Sequence, residues 1–150
     1  MRKHQIAILA ALAVLALAKH AHGAELDLTV NGLSKHTRAD FNGINPGLGL
    51  HVGLGTVGLD LGEYKNSYKN TTAYALGEWL PLQVSGLRVG AFAGLATGYT
   101  EPQNPIRPLV AGFAARWQPG PVGVAFHVVP PTGPGTAGFV AVQLTIRIKE

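Results

Sequence analysis

The stretch NPGLGLHVGLGTVGLDLGEYKNSYKN, residues 45–70, constrains the fold more than any other part of the chain. Leu48, Leu50, Val52 and Leu54 share one parity, with Gly47, Gly49, His51 and Gly53 between them. Beyond Gly55, Val57, Leu59 and Leu61 alternate with Gly58, Asp60 and Gly62. Strict period-two alternation is a strand signature, and Leu-Gly-Thr between two such runs marks a hairpin. The second face is neither charged like a solvent face nor bulky like a core face; it is mostly glycine with a few polar groups. A sheet with an apolar outside and a small, sparsely polar inside suits a transmembrane β-barrel.

The rest of the chain fits that expectation. Arg2 and Lys3 precede an apolar run from Ile6 to Ala18, followed by Lys-His-Ala-His-Gly-Ala. This is the order of a secretory signal peptide, with the cut expected after Gly23. The run falls short of the ~20 apolar residues that a spanning helix needs. Residues 1–23 are therefore expected to be a signal peptide and residues 24–150 a single barrel domain. Loss of Arg2, Lys3 and Lys19 leaves nine of the 12 Lys+Arg against 8 Asp+Glu. The pI of 9.6 is then largely a property of the leader, and no basic footprint for nucleic acid remains. The absence of cysteine excludes a disulfide framework, thiolate metal sites and cysteine nucleophiles.

Eight alternating segments can be laid on the mature part, at 26–34, 47–53, 56–64, 72–80, 87–97, 108–117, 122–129 and 139–148. An even number of short strands is what a small antiparallel up-and-down barrel of the outer membrane requires. Links after the second, fourth and sixth segments are short, and the others are longer and more polar. Short turns belong in the periplasm and long loops outside, with both termini on the periplasmic side. A Lys or Arg facing lipid at mid-membrane costs about 2–4 kcal/mol, so Arg88, Arg116 and Arg147 are expected to face the lumen. Asp27, Asp60 and Glu78 share that inner parity. Asp27, Glu78, Arg88, Arg116 and Arg147 gather at the periplasmic end and are expected to form one paired network that plugs it, in which truncating Arg88 strands a buried carboxylate. Above this floor, Gly90, Gly94, Gly112 and Ala114 are expected to line a slot the width of one alkyl chain.

The loops carry the chemistry. The first outer loop contains Lys35-His36-Thr37-Arg38-Ala39-Asp40, and the second contains Lys65-Asn66-Ser67-Tyr68-Lys69-Asn70. Both lie on one rim, so an imidazole and a hydroxyl can meet over the slot as base and nucleophile of an acyl transfer. A His and a Ser on adjacent loops also arise by chance, which leaves a non-catalytic scaffold open. His51 and His127 fall mid-strand on the inner face and read as hydrogen-bonded lumen groups; the spacing of the histidines gives no metal site and no cofactor is expected. Trp79, Trp117, Tyr64 and Tyr99, near strand ends, fit interfacial aromatic girdles.

The chain resembles the outer-membrane lipid A palmitoyltransferases (PagP-like proteins) over roughly residues 33–147. The similarity lies in His36 of the first outer loop, in Asn66-Ser67 where the family has Asp-Ser, and in Trp-Leu-Pro-Leu at 79–82. It continues in Leu87-Arg-Val-Gly-Ala-Phe-Ala-Gly-Leu and in the late run from Pro105 through Gly120-Pro121-Val122 to the proline-rich loop 130–136. Strand one begins close to the expected cleavage site, so the family's membrane-lying N-terminal helix has no counterpart. The resemblance implies an outer-membrane enzyme, working as a monomer, that moves a palmitoyl-type chain from a phospholipid to lipid A with His36, Asn66 and Ser67 as its catalytic residues. Asn66 carries no charge, yet it can orient His36 through its carbonyl or give an amide N–H to the oxyanion, with Ser67 either the nucleophile or a donor to that oxyanion. Pro105, Pro108, Pro130 and Pro131 bracket the outer ends of strands six and seven. Lacking ladder N–H groups, they are expected to unzip that seam into a lateral gate for the acyl chain. The alternatives are a non-catalytic surface scaffold or adhesin, and a lipid A or phospholipid deacylase with the same Ser and His.

Overall fold

A computed structural model describes residues 23–38 and 41–149. The expected signal peptide, apart from Gly23, and Asp40 of the first loop lie outside the described residues. Eight strands close into one antiparallel barrel in chain order. They are β1 (Glu25–His36), β2 (Ile44–Leu54), β3 (Val57–Lys65), β4 (Thr71–Val84), β5 (Leu87–Ala96), β6 (Leu109–Trp117), β7 (Val122–Val129) and β8 (Phe139–Lys149). The all-β barrel expected from period-two alternation is thus the fold, and each strand lies within a few residues of its expected segment. The longer links, after β1, β3, β5 and β7, form an upper rim; the short ones form a lower rim with the start of β1 and the end of β8.

Parity decides which side chains turn outward. Leu48, Val57, Leu82, Leu95, Leu109, Phe113, Val122, Leu144 and Ile148 are exposed on the outer face, with Trp79 and Trp117 toward the lower rim. The inner face holds Asp27, Thr29, His51, Asp60, Glu78, Arg116, Gln143 and Thr145, all buried. Near the upper rim an insertion in β1 resets this alternation, as another does in β4 between Trp79 and Leu82. Between Asn31 and Leu33 the register of β1 shifts against both neighbours, and against β8 Gly32 is the extra residue of a β-bulge. Ahead of it odd-numbered residues face inward; beyond it Ser34 and His36 do, while Leu33 and Lys35 are exposed. Strand β1 then keeps pairing with β8 as far as His36↔Phe139. His36, expected in a loop, is therefore the last residue of a strand.

The glycines of the inner face do not leave the lumen bare. A Cβ on Gly49 or Gly62 would stand 2.5 Å from the Tyr74 hydroxyl, and one on Gly58 would stand 2.5 Å from His51 Cε1. These positions are small because large inward rings occupy their space. A Cβ on Gly90 or Gly94 would strike the β4 backbone, at Trp79 O and Ala75 O respectively, and one on Gly112 would strike Val128 O.

Charges fill the lower lumen in two groups rather than the single network expected. Deepest, Arg116 donates to Glu78 through Nε (2.6 Å) and Nη2 (3.0 Å), and to Asp60 through Nη2 (3.2 Å). His127 Nε2 lies 2.7 Å from the same Glu78 carboxylate. Nearer the lower rim, Arg147 Nε pairs with Asp27, and Glu25 accepts from Arg88 at 2.7 Å and from Arg147 at 3.3 Å. Glu25, unassigned in the sequence, is thus the partner of Arg88, and its side chain is 30% exposed. This moves the critical arginine. Removing Arg116 leaves the buried Asp60 without its guanidinium and Glu78 with only its histidine neighbours, and should destabilise the barrel by about 3–5 kcal/mol. Arg88→Ala, acting on a partly solvated pair, should cost on the order of 1 kcal/mol. Urea midpoints of the two alanine variants in detergent should fall in that order; equal midpoints would show the deep cluster to be solvated.

Candidate functional site

The bulge at Gly32 and the hairpin β3–β4 bring the two chemical residues together. Ser67 Oγ lies 3.0 Å from His36 Nε2. When Nε2 carries no proton, the hydroxyl donates to it, the geometry that a general base needs toward a nucleophile. The imidazole is gripped between two rings, with centroids 4.9 Å from Phe41 and 5.6 Å from Phe139. Phe41 in turn meets the edge of Tyr68. Both His36 and Ser67 are half-buried.

Asn66, placed beside Ser67 in the sequence, serves the loop instead. Its amide is fully buried. Nδ2 donates to Thr72 Oγ1 and to the Gly98 carbonyl, each at 3.0 Å. Oδ1 accepts from the N–H groups of Tyr68 and Asn70, also at 3.0 Å. Both Nδ2 hydrogens are thereby engaged, and none of these bonds reaches His36 or Ser67. With the backbone bonds Asn66–Asn70 and Lys69–Asn66, and Lys69 at φ 65, they fold residues 66–70 into a tight loop that presents Ser67. An acid at this position would turn an oxygen toward the Gly98 carbonyl.

Below the pair lies a cavity of about 100 Å³. Its upper wall includes His36, Asn45, Ser67 and Tyr68, and its body Tyr64, Tyr74, Leu76, Tyr99, Val110, Val129 and Phe139. Phe92 and His127, stacked edge to face with centroids 4.9 Å apart, also line it, and His127 is bonded to the charged cluster beneath. The cavity therefore occupies the upper half of the barrel. Gly90, Gly94, Gly112 and Ala114 sit on inner-parity positions, but none of them lines it; its walls are mostly aromatic and aliphatic side chains, with Asn31, Gln103 and Gln143 among the polar ones. Tyr64 and Tyr99, expected in an outer girdle, instead face inward and share a hydrogen bond of 2.8 Å. Burial pushes the Tyr99 hydroxyl above the ordinary phenol range, so it keeps its proton and can donate to Tyr64.

The cavity continues toward the upper seam of β6 and β7. The ladder there runs only from Phe113↔Val128 to Trp117↔Val124, whereas Leu109 to Gly112 of β6 pair with β5. A smaller space of about 60 Å³ lies at this seam, bordered by Leu109, Val110, Val129 and Pro130. Of the four prolines, Pro130 lines it; Pro105 and Pro108 stand in the link before β6, and Pro131 follows Pro130.

Asp60, Glu78 and His127 offer ligand atoms within 4.8 Å of one another, the one such grouping among the described residues. Both Glu78 oxygens are already taken by Arg116 and His127, so this grouping holds the lumen together. His51 joins it with Nδ1 3.7 Å from Glu78. Inner parity alone pointed to these residues, but their convergence depends on barrel closure. Compared with known proteins, the chain matches no family model and no curated sequence.

The loop role of Asn66 has a direct test. Asn66→Ala and Asn66→Asp each leave a buried donor or acceptor unpaired, worth about 1–3 kcal/mol. Local opening of residues 66–70 should rise roughly tenfold, read as faster trypsin cleavage after the exposed Lys65 and Lys69. Unchanged cleavage in both variants would show that the loop is held by its backbone alone.

Proposed function

We propose that this chain is an outer-membrane acyltransferase, related to the lipid A palmitoyltransferases (PagP-like proteins), that moves a palmitoyl-type chain from a phospholipid to lipid A. The observation that carries this reading is the 3.0 Å contact between Ser67 Oγ and His36 Nε2 at the mouth of a cavity walled by apolar and aromatic side chains. A base and a hydroxyl over an apolar hole suit an ester whose acyl chain is buried while its carbonyl stays at the rim. The outward-facing apolar surface suits a lipid environment. The short β6–β7 ladder offers an acyl chain a sideways path between barrel and bilayer.

In this mechanism His36 takes the proton of Ser67 as the oxygen attacks the phospholipid ester carbon. The acyl-serine bond forms, and His36 returns the proton to the departing lysophospholipid oxygen. A lipid A hydroxyl then attacks the acyl-serine, again with His36 as base, and Ser67 recovers its proton. Asn66 acts by shaping the loop that carries Ser67.

Mass spectrometry of lipid A from Gram-negative cells with and without the protein tests this reading. A gain of one palmitoyl-type mass is expected. Loss of an acyl chain would favour a deacylase, and no change a surface scaffold. Ser67→Ala and His36→Ala should each abolish the gain while preserving heat-modifiable mobility on gels, since neither side chain supports the barrel. Full transfer by both variants would sink the acyl-transfer reading.

A further inference from the structure

Ser67 has a second polar neighbour. Asn45, near the start of β2, is 6% exposed and lines the cavity together with Ser34, His36 and Ser67. The orientation of its amide is set by its surroundings. The Lys65 carbonyl can only accept, and it takes one Nδ2 hydrogen at 3.0 Å. On the other side Ser34 Oγ donates to Oδ1 at 2.5 Å. The remaining Nδ2 hydrogen is directed at Ser67 Oγ across 3.4 Å, longer than the 2.7–3.2 Å of an ordinary N–H···O bond. A buried donor is thus held beside the hydroxyl oxygen but only weakly used in the resting site.

We propose that Asn45 is the oxyanion donor of this site, an inference that rests on the acyl-transfer reading of Ser67 and His36. As Ser67 Oγ bonds to the ester carbon, its proton passes to His36 Nε2 and the C=O π pair moves onto the carbonyl oxygen. That oxygen then stands beside Oγ, where the underused Nδ2 hydrogen of Asn45 meets it. When the intermediate collapses, the pair returns to the carbonyl, the ester C–O bond breaks and His36 protonates the leaving alkoxide. The same donor serves again when a lipid A hydroxyl attacks the acyl-serine. Donors that are fixed before reaction and aimed at developing charge are worth more than flexible ones, because the site need not reorganise. Asn45 meets that condition through its clamps to Lys65 and Ser34. Asn66, with both Nδ2 hydrogens engaged elsewhere, does not.

The test uses the full mature chain in detergent, with phosphatidylcholine as acyl donor and lipid A as acceptor. A fluorophosphonate provides an independent probe of Ser67. Asn45→Ala should lower kcat by about 10²–10³ with KM little changed, the pattern of an interaction made only in the transition state. Labelling of Ser67 by the fluorophosphonate should slow in parallel. Asn45→Asp, nearly isosteric but without a hydrogen to give, should show the same loss. A folded Asn45 variant with wild-type kcat, beside an inactive Ser67→Ala protein, would overturn the proposal alone. A raised KM at unchanged kcat would make Asn45 a binding residue and also overturn it. Failure of both Asn45 variants to reach the heat-modifiable form would make the amide a structural clamp, with the same consequence. If Ser67→Ala itself remains active, the acyl-transfer reading has failed, and the role of Asn45 falls with it.

Discussion

The pairing of Arg116 with Glu78 and Asp60 is the interaction on which the rest of the barrel depends. An eight-stranded barrel is narrow, so whatever its lower half encloses is taken out of water. A lone guanidinium there would carry a desolvation cost of several kcal/mol, which attraction offsets only when the partners are close and well directed. Two carboxylates from β3 and β4 reach across to β6 and provide that geometry. His127 adds a bond from β7, so four strands are tied through the lumen as well as through their ladders. The cluster also divides the interior. Polar groups fill the space beneath His127, and the apolar cavity is confined to the half above it.

Much of the fold was legible because barrels write it at period two. Alternation located all eight strands, and the cost of turning Arg88, Arg116 and Arg147 outward assigned the inner face. What alternation could not reveal was how far each inward side chain reaches. Gly49 and Gly62 bear no side chain of their own, yet the Tyr74 ring comes from β4 to fill the space beside them. Tyr64 looked like a girdle residue because its place near a strand end was read without its parity, which it shares with Asp60 and Gly62. The identity of ion-pair partners depends on strand tilt and register, and those are set only when the barrel closes. Glu25 escaped notice for that reason.

The candidate site was legible to a different degree. Loop order put His36 and Ser67 on one rim, and the structure sets their reactive atoms at hydrogen-bond distance. The role of Asn66 was not legible, since adjacency in sequence says nothing about where a side chain points. Its four bonds go to Tyr68 and Asn70 of its own loop, to Thr72 at the start of β4 and to Gly98 beyond β5. Asn45 carried a signal that could have been used: it shares inner parity with Gly47, Gly49 and His51, at the level of the rim where Ser67 sits.

Gly32 has a consequence of another kind. Counting by twos from Asp27, Thr29 and Asn31 would send position 36 outward, alongside Leu28 and Val30. Against β8 the bulge gives β1 one extra residue, which inverts that count for the upper end of β1, and with it the face on which Ser34 and His36 appear. A Cβ at Gly32 would meet nothing within 4 Å, so the inversion depends on the presence of a residue there rather than on its being glycine. Which side chains this rim presents is thus governed by chain length. A barrel of the same strand number and the same side chains could acquire or lose a rim histidine through one inserted or deleted codon, with every ladder below it unchanged.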